Sequence, residues 1–482
     1  MDTATAARAV SGHLVGAPVV FSRVTTDTRS VAPGDLFVAL RGERFDGHDF
    51  VAQAFAGGAA AALVARDRAP GLAGNLIAVD EPLTALGTLA AHWRSRFDIP
   101  VAVVVGSNGK TTTKEMIASV FRAGAGAGAG AVAATPGNFN NAIGLPLAVL
   151  GLREAQRLAV FEIGMNHRGE TRELAAIAQP TICVVTNAQR EHQEFMRSVD
   201  EVAAEHADAV RALPAGGTAV VNADDPHAQV WRDAAKLAGA NVVDFALECA
   251  AAVTARCTSH AEGSVLEIAT PAGSARVLLH APGRHMAGNA LAAVAAGLAA
   301  GLTLAAIAQG LEAFRPVAGR LVAREGIGGS TVIDDSYNAN PDSMRAAIDV
   351  LASRPGTRWL VMGDMGEVGD QGPEFHREIG AYARAAGIER LIACGPLAAD
   401  AVRAFGEGAE HHPSADAVAA GIADAVAEAV ANQATRERSG QAANHAGGPA
   451  QANVTLLVKG SRFMHMEKVV AALTGASSGG AH

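Results

Sequence analysis

Residues 101–113 read VAVVVGSNGKTTT, an apolar and β-branched run that breaks into Gly106-Ser107-Asn108-Gly109-Lys110-Thr111 and goes on through Thr112 into a helix-compatible stretch ending near Phe121. A strand, a glycine loop and a helix in that order make a cradle for phosphate, because the loop brings backbone N–H groups up to an anion. Gly106 and Gly109 permit the tight turn. Lys110 supplies a point charge for the β- and γ-phosphates, and the Thr111 hydroxyl suits Mg²⁺. Val104 stands where the longer GxxxxGK[ST] pattern has its first glycine, so the loop is the shorter GxxGKT.

Six further segments carry groups able to do chemistry. TPGNFNNAIGLP (135–146) crowds Asn138, Asn140 and Asn141 into a loop bounded by proline and glycine; asparagines there serve either a turn or a ligand. FEIGMN (161–166) puts Glu162 at the end of an apolar strand, where parallel sheets bind ligands, and one carboxylate with phosphate oxygens and water is a Mg²⁺ environment. TNAQREH (186–192) ends in His192, which reads as a metal ligand, a phosphate contact or a solvated loop residue. GRHMAGNALAA (283–293) enters a helix with His285 and Asn289 four apart on one face, a pair suited to stacking on and bonding adenine. Gly319-Arg320 precedes VIDDSYNANP (332–341), where Asp334 and Asp335 suit ribose hydroxyls and Asn338 and Asn340 favour a structured loop. Lys459-Gly460-Ser461-Arg462 follows the last apolar strand, two cations beside a turn that suit a carboxylate or phosphate.

These segments need a scaffold. A chain of 482 residues predicts about three domains. The hydrophobic share is 49% but aromatics are only 4%, so the cores must be built of Ala, Val and Leu. Residues 1–97 form a first small α/β unit, with a Pro33-Gly34 turn between short strands, a helix over 51–62 and a strand at 62–65. Residues 98–314 form a second unit, with apolar runs at 101–105, 158–163, 181–186 and 218–222 separated by helical stretches. Residues 315–482 repeat the rhythm, with strands at 330–334, 359–362, 390–393 and 454–458 and helices near 343–353, 373–386 and 415–431. Strands alternating with helices predict mostly parallel sheets covered on both faces. The Gly/Ala segment 123–134 and the polar segment 432–453 read as dispensable, the latter as a flexible insertion, and the tail after Thr474 as frayed.

The net charge of −9, with no basic stripe, argues against a nucleic-acid partner. Cys183, Cys249, Cys257 and Cys394 lack CxxC spacing and read as reduced thiols, not a disulfide frame or a zinc site. The first residues show no signal pattern, and no apolar run reaches about 18 residues, so a cytoplasmic protein without a membrane span is expected.

The seven segments, in this order and together with VMGDMGEVG (361–369), strongly resemble the Mur ligases, ATP-dependent amide-forming enzymes of peptidoglycan precursor synthesis in bacteria. The resemblance runs from about Thr26 to Lys468. It implies an N-terminal UDP-substrate domain, a central phosphate-loop ATPase domain and a C-terminal Rossmann-like domain that receives the amine. It implies ATP and Mg²⁺ as cofactors, UDP-N-acetylmuramoyl-tripeptide and D-alanyl-D-alanine as substrates, and a monomer. Position by position, Lys110 and Thr111 would grip the phosphates and Mg²⁺, Glu162 would bind Mg²⁺, and His192 would hold a second metal or the carboxylate being activated. His285 and Asn289 would lie near adenine, Arg320 near the γ-phosphate, and Asp335 or its neighbour near the ribose. Thr28, Arg29, Asp46 and His48 would contact the UDP-sugar, with Asn140, Asn141, Asn338, Lys459 and Arg462 on the substrate side. Two positions depart from the family pattern: Met286 stands where relatives carry Asn, and residues 200–210 lack the lysine that many relatives carbamylate for metal binding, so that either Mg²⁺ is held differently, through water or with Glu205 or His206 as stand-ins, or activity is weaker. Alternatives are a related Mur or folate-type ligase with another amine, and an NTP-driven switch or transport ATPase.

Overall fold

The computed structural model describes residues 1–126, 130–260, 263–438 and 454–475. Its strands assemble into three sheets along the chain. The first has five strands in the order His13–Val15, Leu76–Val79, Ala61–Ala65, Asp35–Val38, Arg23–Thr25, all parallel except the first pairing. Ala61–Ala65 and Leu76–Val79 are buried along their whole length, as strands covered on both faces must be.

The central sheet has nine strands. At its heart Ile182–Val185, Val101–Val105 and Leu158–Glu162 lie side by side and parallel, so their C-terminal ends open on one edge. Val104 pairs with Glu162 and Val105 with Val185, which brings the phosphate loop, Glu162 and Thr186 to the same level. Val101–Val105 is entirely buried, and the helix Lys110–Gly124 that follows sinks Met116, Ile117, Val120 and Phe121 into the core. Each such side chain contributes about 1.5–3 kcal/mol, so both ends of the loop are fixed by packing.

The third sheet runs Val322–Glu325, Thr331–Asp335, Val454–Lys459, Thr357–Gly363, Arg390–Cys394, Ala409–His412, antiparallel only at the first pairing. Register sets Asp335 directly opposite Lys459.

Several expectations are corrected. The central sheet carries an antiparallel flank, Val253–His260, Gly263–Thr270 and Gly273–Leu279, whose burial alternates and whose residues include many polar ones. The helix expected over 51–62 stops at Ala56, because Gly57 and Gly58 end it. Within 123–134, helix continues to Gly124 and Val132–Ala134 is an edge strand, so part of that segment is structure; residues 127–129 lie outside the described residues. The helix Ala415–Arg438 runs past 431 into the segment read as an insertion, since Ala, Glu and Arg favour helix; residues 439–453 and the tail beyond 475 lie outside the described residues. Among the described residues no helix is long and apolar enough to cross a membrane.

Candidate active site

The loop between Val105 and Lys110 depends on its two glycines. Gly106 has φ +130°, and a Cβ there would lie 2.0 Å from Thr186 Oγ1. Gly109 has φ +82°, and a Cβ there would lie 2.5 Å from Asn289 Oδ1. Side chains rarely adopt such backbone angles, and here the space is also taken. The neighbouring loop after Ile182–Val185 braces the turn: Thr186 Oγ1 donates to the Asn108 carbonyl at 2.7 Å, and the Asn108 N–H donates to Asn187 Oδ1 at 2.9 Å. Gln189 N–H donates to Ser107 Oγ at 2.9 Å, and its side-chain oxygen accepts from Asn108 Nδ2 at 2.6 Å.

Lys110 Nζ folds back over the loop, donating to the Gly106 carbonyl at 2.5 Å and the Ser107 carbonyl at 3.2 Å, and meets Glu191 Oε2 at 3.2 Å. Glu191 is 7% exposed. Burial alone would raise its pKa; Lys110, His206 and His192 outweigh that and hold it at about 2.

Glu162 is buried at its strand end. Its Oε1 accepts from Asn140 Nδ2 at 2.7 Å, its N–H donates to Thr135 Oγ1 at 2.9 Å, and the Thr135 carbonyl accepts from the buried Lys114 Nζ at 2.9 Å. Glu162 Oε2 is buried and has no hydrogen-bond partner among the described residues. An unsatisfied carboxylate oxygen on the wall that also carries Thr111 fits a Mg²⁺ ion held by few protein ligands. Among the described residues no group of three or more His, Cys, Asp or Glu side chains is arranged to hold a metal.

His192 has φ +51°, and its Nδ1 lies 2.7 Å from Glu367 Oε2 of the third sheet's unit; Glu367 itself has φ +56°. The neighbouring His192 holds the Glu367 carboxyl below the usual range. Of the two stand-ins for the absent lysine, Glu205 accepts the N–H groups of Gly169 and Thr171, both at 2.9 Å, and so caps the helix Glu170–Ala178. His206 is buried, with Nε2 3.5 Å from Glu191 Oε1.

Opposite this wall, Asp335 and Lys459 satisfy each other: Nζ donates to Oδ2 at 2.6 Å and to the Asn338 carbonyl at 2.8 Å, while Leu321 N–H donates to Asp335 Oδ1 at 3.2 Å. Burial still leaves the Asp335 pKa raised, despite Lys459. Asp334 accepts from Ser336 Oγ at 2.6 Å and pairs with Arg324. Both carboxylates and Lys459 are therefore engaged within the fold, which neither their spacing nor their chemistry announced. The Arg320 guanidinium lies over the Tyr337 ring, 4.2 Å from its centre. His285 is drawn down to about 4 by its enclosure and by the Lys459 charge, so it is neutral near pH 7. Met286 faces the core beside it, 3% exposed.

One cavity of about 410 Å³ is lined by Ser107 to Thr112, Asn140, Asn141, Glu162, His192, His285, Asn289, Arg320, Asp335, Asn338 and Lys459. A second, about 930 Å³, continues past His285 and Asn289 toward Asn222, Phe245 and Val350. Gly106 holds the loop from behind. Arg462 lines neither cavity; it pairs with Glu467, and its guanidinium lies 5.9 Å from the centre of the Tyr337 ring, which lines the first. Thr28, Arg29, Asp46 and His48 also lie outside both. Arg29 is exposed and bound to Asp27, whereas His48 is buried, with Nδ1 2.5 Å from Asp46 Oδ1 and Nε2 accepting the Ala65 N–H at 2.8 Å. Both His48 ring nitrogens are engaged within the fold. Sequence reasoning missed Glu191, Gln189 and Glu367; the first two sit inside TNAQREH, but a loop does not declare which side chains turn inward.

A phosphate loop facing a second parallel α/β unit across a shared cavity defines a nucleotide-dependent two-domain site. Comparison with known families bears this out: the Mur ligase family catalytic domain matches residues 20–94, the Mur ligase middle domain 104–297, and the Mur ligase glutamate ligase domain 319–462. The chain belongs to the Mur ligase family. It is 39% identical over 468 residues to the UDP-N-acetylmuramoyl-tripeptide–D-alanyl-D-alanine ligase of Escherichia coli K12, covering 96% of each chain. It also superposes on MurF from Acinetobacter baumannii with a TM-score of 0.83 at 32% identity, covering 97% of each chain. MurF ligase from Thermotoga maritima in complex with ADP follows at a TM-score of 0.76 and 25% identity, covering 93% of this chain and 96% of that one.

Proposed function

We propose that this chain joins D-alanyl-D-alanine to UDP-N-acetylmuramoyl-tripeptide at the expense of ATP, in peptidoglycan precursor synthesis. The observation that carries the reading is the shared cavity, where Lys110, Glu162 and Arg320 from two α/β units face one another. Similarity over the full length to ligases of that activity supports the choice of substrates.

In the reaction, a carboxylate oxygen of the tripeptide attacks the γ-phosphorus of ATP. ADP leaves and an acyl phosphate forms. The free amine of the dipeptide then attacks the acyl carbon, loses a proton, and phosphate departs as the amide forms. The first step gathers several negative charges, so catalysis rests on positioning and neutralisation. The phosphate loop receives the phosphates on its N–H groups, with Lys110 leaving Glu191 to meet them and Arg320 approaching from the other side. Thr111 and Glu162 would hold Mg²⁺, which supplies charge neutralisation on the phosphates when bound. The neutral His285 and Asn289 line both cavities, which supports a role for them beside the adenine base.

The test is phosphate release with ATP, Mg²⁺ and UDP-N-acetylmuramoyl-tripeptide, with and without D-alanyl-D-alanine. Release that requires both substrates, with a product heavier by the dipeptide less one water, supports the ligase. Release with ATP alone transfers the reading to a switch or transport ATPase, and turnover with a different amine to a sister ligase.

A further inference from the structure

Residues 189–191 alternate in direction. Gln189 and Glu191 turn back onto the phosphate loop, holding Ser107, Asn108 and Lys110. Arg190, between them, turns outward to the C-terminal unit. Its backbone N–H donates to Asp342 Oδ2 at 2.9 Å, and its guanidinium donates to Asp342 Oδ1 at 2.6 Å and to the Glu378 oxygens at 2.7 and 3.0 Å. It also stacks on Phe375, 5.2 Å from the ring centre. A planar fork that meets two carboxylates and a ring fixes direction as well as distance. Asp342 opens the helix Pro341–Ala352, whose cap residue Asn340 donates from Nδ2 to Asn108 Oδ1 at 2.9 Å. Asn340 and Asp342, on either side of Pro341 in the C-terminal unit, thus reach the phosphate loop, Asp342 through Arg190 and Asn340 directly.

We propose that Arg190 is a positioning residue through which the seating of the C-terminal unit sets the phosphate loop and Lys110 for transfer. The inference rests on the ligase reading for its consequence: phosphoryl transfer proceeds at full rate only when the amine-bearing unit is docked, so the acyl phosphate forms where the amine can reach it. Arg190 itself touches no reacting atom. It acts through its chain neighbours, and a misplacement of about 1 Å in such a loop costs on the order of a hundredfold in rate.

The test is a double-mutant cycle of Arg190→Ala and Asp342→Asn, read both as kcat for ligation and as affinity for a fluorescent ATP analogue. Each single change is expected to lower kcat roughly ten- to a hundredfold and to weaken nucleotide binding. The double variant is expected to be no worse than either single, and Arg190→Lys to recover part of the loss. Additive losses in either readout, or Arg190→Ala within twofold of the parent, would overturn the proposal. If Asp342→Asn does not fold, Glu378→Gln replaces it in the cycle. Nucleotide affinity is read without ligation, so a parent enzyme that fails to ligate sinks the ligase reading and leaves the coupling to be judged by binding.

Discussion

Removing Lys110 tests the site and the fold together. Lys110→Ala deletes the cation that meets the phosphates, so ADP formation should cease. It also strips the buried Glu191 of its nearest counter-charge, 3.2 Å away. The gap between an ordinary glutamate at 4.5 and Glu191 at about 2 corresponds to about 3 kcal/mol at neutral pH, a ceiling that Lys110 shares with His206 and His192. The folded-state value is the lower one, so this stabilisation is fully present above about 4.5 and is lost as pH falls through about 2. The variant should therefore be less stable than the parent at pH 7, and the difference should close in acid. Urea titration followed by the fluorescence of Trp231, buried in the central unit, reads this out at pH 7 and at lower pH. Adding Glu191→Gln to Lys110→Ala removes the unpaired charge and should restore stability without restoring ADP formation. A double variant no more stable than Lys110→Ala, or a well-folded Lys110→Ala that turns over, would refute the reasoning.

Gly106→Ala meets both a φ of +130° and Thr186 Oγ1; it should cost roughly 1–3 kcal/mol and sharply weaken nucleotide binding by calorimetry, and parental affinity would contradict the tight loop. Glu162→Gln keeps the size and the contact with Asn140 while losing the charge, so the Mg²⁺ concentration for half-maximal ADP formation should rise by about tenfold or more, in line with the loss of an anionic ligand, with an unchanged circular-dichroism spectrum; an unshifted Mg²⁺ curve would remove Glu162 from the metal. His48→Ala should lower the melting temperature by leaving the Ala65 N–H unpaired, a cost of about 1–3 kcal/mol, while kcat stays put. A raised KM for the UDP-substrate without loss of stability would return His48 to substrate contact.

What the sequence made legible was whatever is local. The phosphate loop announces itself because a strand, two glycines and a Lys-Thr pair are contiguous, and Glu162 because its apolar run ends at a carboxylate. The parallel cores follow from their unbroken apolar runs. The antiparallel flank at 253–279 was hidden, since RCTSH and EIAT alternate polar and apolar residues only weakly. The burial of His48 was equally hidden, because a polar residue after Asp-Gly reads as surface, whereas the fold engages both its ring nitrogens inside.

Pairing between distant segments is the part that no single segment contains. Asp335 and Lys459 are 124 residues apart, and each looked available to a ligand until adjacent parallel strands set them face to face. Arg190 and Asp342 are 152 residues apart, and TNAQREH drew notice for its histidine alone. In both cases the charge seen in the sequence is neutralised by a partner that only topology supplies. The cations left to meet substrate are thereby narrowed: Lys459 is committed to Asp335, Arg190 to Asp342 and Glu378, and Lys110 is held by a carboxylate it must leave. Arg320, which lies over Tyr337 and lines the first cavity, is the cation that the proposed reaction assigns to the transferring phosphate from the C-terminal side. Its replacement by lysine, which keeps the charge but not the planar stack, should lower kcat while leaving the nucleotide affinity set by the phosphate loop close to the parent's; equal losses in both would instead assign Arg320 to ground-state binding.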